Sequence, residues 1–301
     1  MATLTDEKAF KKLQTEEYFR QFYAKNTRPD GRKGLVSSRP VTISVGSIST
    51  ADGSSIVKQG ETVVVCGIKL ELAHPSNDNP KMGYIVPNLV LSPACHAQFK
   101  PGAPCDEAQV LSAFLNEVIL NSKVFPLENL CIAEGKWVWS VYIDLTCFNY
   151  TGNLLDASVK ALTAALRDLK VPEVSFEKNE DDSDRIEVSV DKALSVNLGP
   201  MPVACSVAIF EDSLLLDPTD EEEMLAETVI TIVLTGDGEV CHVHKAGGIA
   251  VSQDVIQQSI SLAKKNFKSV EKFICATSNE HWIDYYYEVF EKKSPKVSQL
   301  D

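Results

Sequence analysis

No run of this 301-residue chain approaches the ~20 consecutive apolar residues a membrane-spanning helix needs. The opening stretch, MATLTDEKAFKKLQTEEYF, has no uninterrupted apolar core. A secretory leader needs one, so the chain is expected to stay inside the cell. None of the eight cysteines sits in a C-x-x-C pair, which excludes the common zinc-ribbon and dithiol motifs. They are expected to be small apolar residues of the interior in a reducing compartment, and the sequon Asn149-Tyr150-Thr151 is then incidental. Positive charge is also scarce: 29 Lys and Arg face 42 Asp and Glu, for a net charge of -13 and a pI near 4.9. Binding a nucleic acid alone and without sequence preference draws on Lys and Arg to neutralise phosphates, so that class is excluded. A minor RNA contact inside a larger assembly is not.

What remains is an ordinary globular composition, 44% hydrophobic and 24% charged. The length suits one large domain or two halves sharing a core. Thr15-Glu16-Glu17 reads as the capped start of a short helix carrying Tyr18, Phe19, Phe22 and Tyr23. RPDG (28–31) reads as the turn that stops it. From Val41 to Ala73 the period drops to two, in VTISVGSI and ETVVVCGIKLELA, which predicts strands joined by glycine-bearing turns. CDEAQVLSAFLNEVILNS (105–122) puts Val110, Leu111, Phe114, Leu115, Val118 and Ile119 on one helical stripe. In KWVWSVYIDLTCF, Trp137, Trp139, Val141, Ile143 and Leu145 share one face of a long strand. A helix follows with Val159, Leu162, Leu166 and Leu169 inward.

The acidic stretch EKNEDDSDR (177–185) is the expected boundary between halves. It lacks the glycine and the ligand spacing of a calcium loop. Beyond it, PVACSVAIFEDSLLLDP and ETVITIVLTGDGEVCHVHKAGG read as strands, with Gly236-Asp237-Gly238 turning a hairpin. A helix from Ser252 then carries Val255, Ile256, Ile260, Phe267 and Val270 inward. Both halves set apolar helices against mostly antiparallel strands, an α+β layout with a hint of duplication. The expected divisions are 1–27 (helical segment), 28–176 (first half), 177–185 (linker), 186–276 (second half) and 277–301. That last segment reads as a final helix or an extension.

The most informative string is YTGNLLDASVKAL (150–162): a strand end, a glycine turn and the first turns of a helix. Such a junction leaves backbone N–H groups without partners and adds the helix dipole, so it is a natural seat for phosphate. Yet after Gly152 come Asn153, Leu154, Leu155 and Asp156, with no cation before Lys160. Other candidates are weaker. His242 and His244 lie on one face of a strand but lack a third ligand nearby, so a half-buried strand is the expectation and a metal is not. Cys95 and His96 are adjacent in sequence, which seldom lets a nucleophile meet its base. The acidic run PTDEEEMLAE (218–227) reads as a solvated loop or a helix start.

In order, RPDGR, GSISTADGSSIVKQGETVVVCGIK, IDLTCFNYTGNLLDAS and LLLDPTDEEE resemble the RNase PH family of phosphate-dependent exoribonucleases, over about residues 15 to 270. In detail they are similar to the non-catalytic type of exosome core ring subunit. The resemblance implies the RNase PH fold, two βα halves of the ribosomal protein S5 domain 2 type. It implies that catalytic members hold inorganic phosphate with the turn's amides and an arginine, whose position here is Leu155. Catalytic members also place an Asp where this chain has Val229, and RNA-contacting arginines on the helix that here runs from Asp106 to Ser122 without one. Asp156 is expected to satisfy the helix dipole and repel a second anion. The implied role is therefore a scaffold without a catalytic residue, cofactor or metal. Its partners would be other RNase PH-like ring subunits, S1/KH cap subunits, RNA in the channel and associated exosome nucleases, and no membrane. Lys100, in QFKPG, is the one expected RNA contact. The implied location is nucleus and nucleolus, also cytoplasm. The rival reading is an active phosphate-dependent 3′-to-5′ exoribonuclease, for which Asp156 and Asp144 are the residues to test. A free-standing small-molecule enzyme on the same fold is the third.

Overall fold

The computed structural model describes residues 10–178, 184–195, 197–211, 213–236, 238–276 and 283–284. The period-two strings of the first half become β1 (Val41–Val45), β2 (Gly53–Gln59) and β3 (Thr62–Ala73), paired antiparallel in chain order. Gln59 pairs with Thr62, so Gly60 and Glu61 alone turn that hairpin, and Gly60 takes the φ of +60° that so tight a turn demands. The long strand β6 (Trp137–Asn149) follows β3, and β4 (Tyr84–Leu91) lies parallel to β6 at the edge. β5 (Cys131–Ala133) on β6 and the short β13 (Ile283–Asp284) on β1 complete a seven-stranded sheet. Alternate residues of β6 point to opposite faces. Val141, Ile143, Leu145 and Cys147 are fully buried, whereas Tyr142, Asp144 and Phe148 face outward and are exposed.

The second sheet has the order β10-β9-β11-β12: β9 (Val203–Phe210), β10 (Ser213–Leu216), β11 (Thr228–Thr235) and β12 (Glu239–Lys245). Thr235 pairs with Glu239 across the expected hairpin, whose Asp237 lies outside the described residues. Both sides of β9 are covered. Cys205, Val207 and Ile209 join the main core. Ala208 and Phe210 meet Phe19 and Tyr23 of α1 (Thr15–Ala24). The N-terminal helix thus packs on the second half. Its cap differs from the expectation: Thr15 is already helical, and its hydroxyl donates back to Lys11 O at 2.8 Å instead of capping the turn.

α3 (Leu154–Asp168) is the centre of the molecule. It lies between β2 and β3 on one side and β9 on the other, and every residue from Asp156 to Leu166 is buried. A helix apolar on one stripe suffices at a surface; one that is buried all round must be covered on every face. The two halves therefore share a single core. α2 (Asp106–Ser122) packs across β4 and against β12. Phe114, Leu115, Val118 and Ile119 of its stripe are buried, but Val110 is 50% exposed, because the first turn of α2 overhangs a cleft. α5 (Gln253–Ala276) covers β9 and β11, and Ser252 caps it, accepting from Val255 N at 3.5 Å.

The two ends of the acidic stretch 177–185 lie in paired strands. β7 (Lys170–Lys178) and β8 (Asp184–Ser195) pair antiparallel from Lys170 with Ser195 to Lys178 with Asp184; residues 179–183 lie outside the described ones, as does the tail apart from Ile283 and Asp284. Cys66, Cys95, Cys147 and Cys205 are buried thiols. Burial pushes Cys147 up to about 12 and Cys241 up to about 11, which keeps both protonated and unreactive.

Candidate functional site: the cleft at the start of the central helix

The strand-to-helix junction forms because β6 ends at Asn149 and two consecutive residues, Gly152 (φ +88°) and Asn153 (φ +52°), take left-handed backbone. Gly152 is needed for a second reason. A Cβ there would lie 2.3 Å from Asp220 N and 2.4 Å from Thr219 C. The acidic run pressed against it is a helix, α4 (Asp220–Leu225). Its capping box pairs Glu222 N with Thr219 Oγ1 at 3.4 Å and Thr219 N with Glu222 Oε2 at 2.9 Å. Because neither backbone is free to move far, Gly152→Ala is expected to cost at least about 2 kcal/mol of stability, read as a lower urea midpoint at unchanged slope.

Below the turn lies a buried ionic network. Asp217, 2% exposed, accepts from Arg39 N, Nε and Nη2 at 2.7, 3.1 and 2.8 Å, from Gln59 Nε2 at 2.7 Å and from Asn153 Nδ2 at 2.6 Å. Arg39 in turn donates to Thr151 O and Gly152 O, which fixes the path of the turn. Arg28 of RPDG, read from sequence only as part of a turn, is 1% exposed and donates to the carbonyls of Leu216 and Asp217 and to Glu222 Oε2. Arg39 beside Asp217 holds that carboxyl far below the usual carboxylate range, against the desolvation that would raise it.

The carboxylate at the seat is not the one expected. Asp156 sits in the first turn of α3 but points inward. It accepts from Ser206 N at 3.1 Å, Ser206 Oγ at 2.8 Å and Asn153 Nδ2 at 2.9 Å, which ties the helix to β9. The group on the turn's backbone is Glu223 of α4, which accepts from Asn153 N at 2.8 Å and from the Tyr150 hydroxyl at 2.9 Å. Burial pushes its carboxyl up to about 7, opposed by those two hydrogen bonds and by Arg39. Since the folded value lies above that of an unfolded glutamate, the folded chain holds the extra proton. Its stability is then expected to fall as pH rises from about 4.5 to about 7, a slope that Glu223→Gln removes in denaturant titrations at stepped pH.

Above Glu223 opens a cleft of about 500 Å³. Leu155 and Val229, one from α3 and one from β11, both line it, as do Val110 and Leu111 of α2. The two positions singled out from sequence are thus brought together. Lys100 is exposed, directly after Phe99, which is a wall of the cleft. Asp144 is elsewhere: it lies on the outer face of the first sheet, 3.2 Å from Asn88 Nδ2. His242 and His244 stack against each other with both rings 5.2 Å from Phe114, as a half-buried strand requires. Cys95 donates to Ser92 O, and His96 Nδ1 accepts from Gln98 N, so the adjacent pair forms no dyad. Tyr150, Asn153, Arg39, Asp217 and Glu223 are the residues sequence reasoning missed. The T-x-x-E of Thr219 and Glu222 was a legible capping box, and it would have placed α4.

Comparison with known proteins agrees with this fold. The model described as 3′ exoribonuclease family, domain 1, matches residues 37–172, and the model for domain 2 of that family matches residues 200–266. The chain belongs to the RNase PH family. Its relatives include the exosome complex component rrp43 of Schizosaccharomyces pombe, 38% identical over 86% of this chain and 94% of that protein. Another is the exosome complex component Rrp42 of Methanothermobacter thermautotrophicus, 33% identical over 82% and 89%. Among solved structures, a chain of the Archaeoglobus fulgidus exosome with RNA bound to the active site superposes with a TM-score of 0.75 at 31% identity, covering 86% of this chain and 97% of that one. The RNase PH fold read from the ordered motifs is the observed one. Its two family domains meet on α3, whose first turn forms the floor of the cleft.

Proposed function

We propose that this chain is a ring subunit of an RNA exosome core that contributes shape and contacts, and no phosphorolysis of its own. One observation carries the reading. The residues converging on the cleft, Leu155, Val229 and Glu223, supply aliphatic surface and a carboxylate, and among the described residues no Lys or Arg lines it. Inorganic phosphate would meet Glu223 already on the turn's amide. A leucine offers no charge-assisted, bidentate grip to offset that repulsion. The identity to proteins named as exosome components supports the assembly part of the proposal.

In such a ring the partners are other RNase PH-like subunits, with S1/KH caps, associated nucleases and RNA passing through the channel. Lys100, exposed beside the cleft, is its proposed RNA contact. Nucleus, nucleolus and cytoplasm are its proposed locations. The test is phosphate-dependent release of nucleoside diphosphates from oligo(A) by the purified chain, alone and co-expressed with ring partners. No release above background from the chain alone, together with stable co-purification in a ring, is the expected result. Turnover by the chain alone would favour the nuclease reading.

A further inference from the structure

The floor of the cleft is rich in acceptors and poor in positive charge. Glu223 has both oxygens engaged by neutral donors, Asn153 N and the Tyr150 hydroxyl. Arg39, the cation whose charge reaches it, is already bound through Nε and Nη2 to Asp217. Asn153, 2% exposed and lining the same cleft, gives its Nδ2 to Asp156 and Asp217. Two carboxylates on one end fix the amide's orientation, and its Oδ1 is left buried without a partner. Asp106 and Glu107 add two more carboxylates to the lining. The walls between are aliphatic: Leu154, Leu155 and Val229.

We infer that the cleft is a receptor for a basic side chain, an arginine or lysine presented by a partner protein. Its cationic head would meet Glu223, and its alkyl stem would lie along Leu154, Leu155 and Val229. The match is one of both charge and form, because such a side chain buries its methylenes while keeping its head paired. A partner protein fits better than a free amine for two reasons. Apolar surface reaches the rim of the cleft, where the lining residue Val110 is 50% exposed. The chain's net charge of -13 also draws basic protein surfaces toward it. This inference stands whether or not the chain proves catalytically silent.

Protonation links to occupancy. Glu223 is faced by Tyr150 from the end of β6, by Asn153 and Asp156 from α3, by Arg39, and across the cleft by Asp106, Glu107 and His244. Burial holds His244 below its usual value, so it stays neutral near pH 7 and does not compete as a cation. A bound cation stabilises the ionised carboxylate, so affinity rises with pH. With the carboxyl at about 7, binding at pH 8 is about tenfold tighter than at pH 6.

The experiment uses the full-length isotope-labelled chain and three probes: n-butylguanidinium, the neutral n-pentanol and inorganic phosphate. Saturable shifts of the Asn153 and Tyr150 amides by n-butylguanidinium are expected, about tenfold tighter at pH 8 than at pH 6. Glu223→Gln is expected to abolish both the binding and its pH dependence. Leu155→Arg, which keeps Glu223 and puts a guanidinium in the cleft from within, is expected to block the probe and serves should the first variant fail to fold. Equal binding of n-pentanol, tighter binding of phosphate, or no saturable shift at either pH overturns the inference.

Discussion

Leu155→Arg by itself is expected to leave the chain without measurable affinity for inorganic phosphate, whereas Leu155→Arg combined with Glu223→Gln is expected to bind it. The single change supplies the charge that the resemblance implies for catalytic members of the family, but Glu223 shares the cleft with position 155. A guanidinium placed there is nearer to an internal carboxylate than to any ion arriving from solvent. It is expected to pair with Glu223, and an internal pair carries no association entropy to overcome. Removing the carboxylate charge frees both the introduced guanidinium and the Asn153 N–H that Glu223 now occupies. Charged hydrogen bonds contribute about 1.5–3 kcal/mol each, so the double variant should exceed either single one by at least about tenfold in phosphate affinity by calorimetry. If Leu155→Arg alone binds phosphate as tightly as the double variant, Glu223 is not the group that closes the seat.

Asp217→Ala is expected to be the most damaging substitution to stability. The side chain holds together four segments distant in sequence: the loop leading into β1 through Arg39, the β2 end through Gln59, the α3 turn through Asn153, and its own loop before α4. Deleting one member of a buried ion pair leaves the other charged and unsolvated, at a cost of about 3–5 kcal/mol. Arg39 is 7% exposed and would be that orphan. Chemical denaturation should show the loss as a lower midpoint. Arg39→Met/Asp217→Leu, which removes both charges together, should recover a large part of it. The acid side gives a second signature. Arg39 depresses the Asp217 carboxyl below its unfolded value, so its stabilisation is complete above about pH 4 and is lost only as pH falls toward the much lower folded value. Asp217→Asn should flatten stability against pH in that window. An unchanged acid limb would show that another carboxylate dominates there.

Much of this architecture is legible along the chain because it depends on local period and local chemistry. The alternation of ETVVVCGIKLELA and KWVWSVYIDLTCF places one face of β3 and β6 in the core. Phe114, Leu115, Val118 and Ile119 fall on the buried stripe of α2. The glycine of YTGN marks the left-handed turn before α3, and ordered motifs alone pointed to the family. Even so, the hairpin of β7 and β8 went unread, since the polar composition of 177–185 resembles a linker whether or not its flanks pair.

The sequence by itself determined that leucine stands at 155 and valine at 229, where the family resemblance implies an arginine and an aspartate, because these are statements about which side chain exists at a position. Only the tertiary structure decided what replaced them. Glu223 reaches Asn153 N across 70 residues of sequence, Asp156 turns inward to Ser206 across 50, and Arg28 is swallowed by the loop before α4. No periodicity encodes such pairings. A buried polar group takes whatever partner folding brings within hydrogen-bonding reach, and the cost of leaving it unpaired, not its neighbours in the chain, selects that partner.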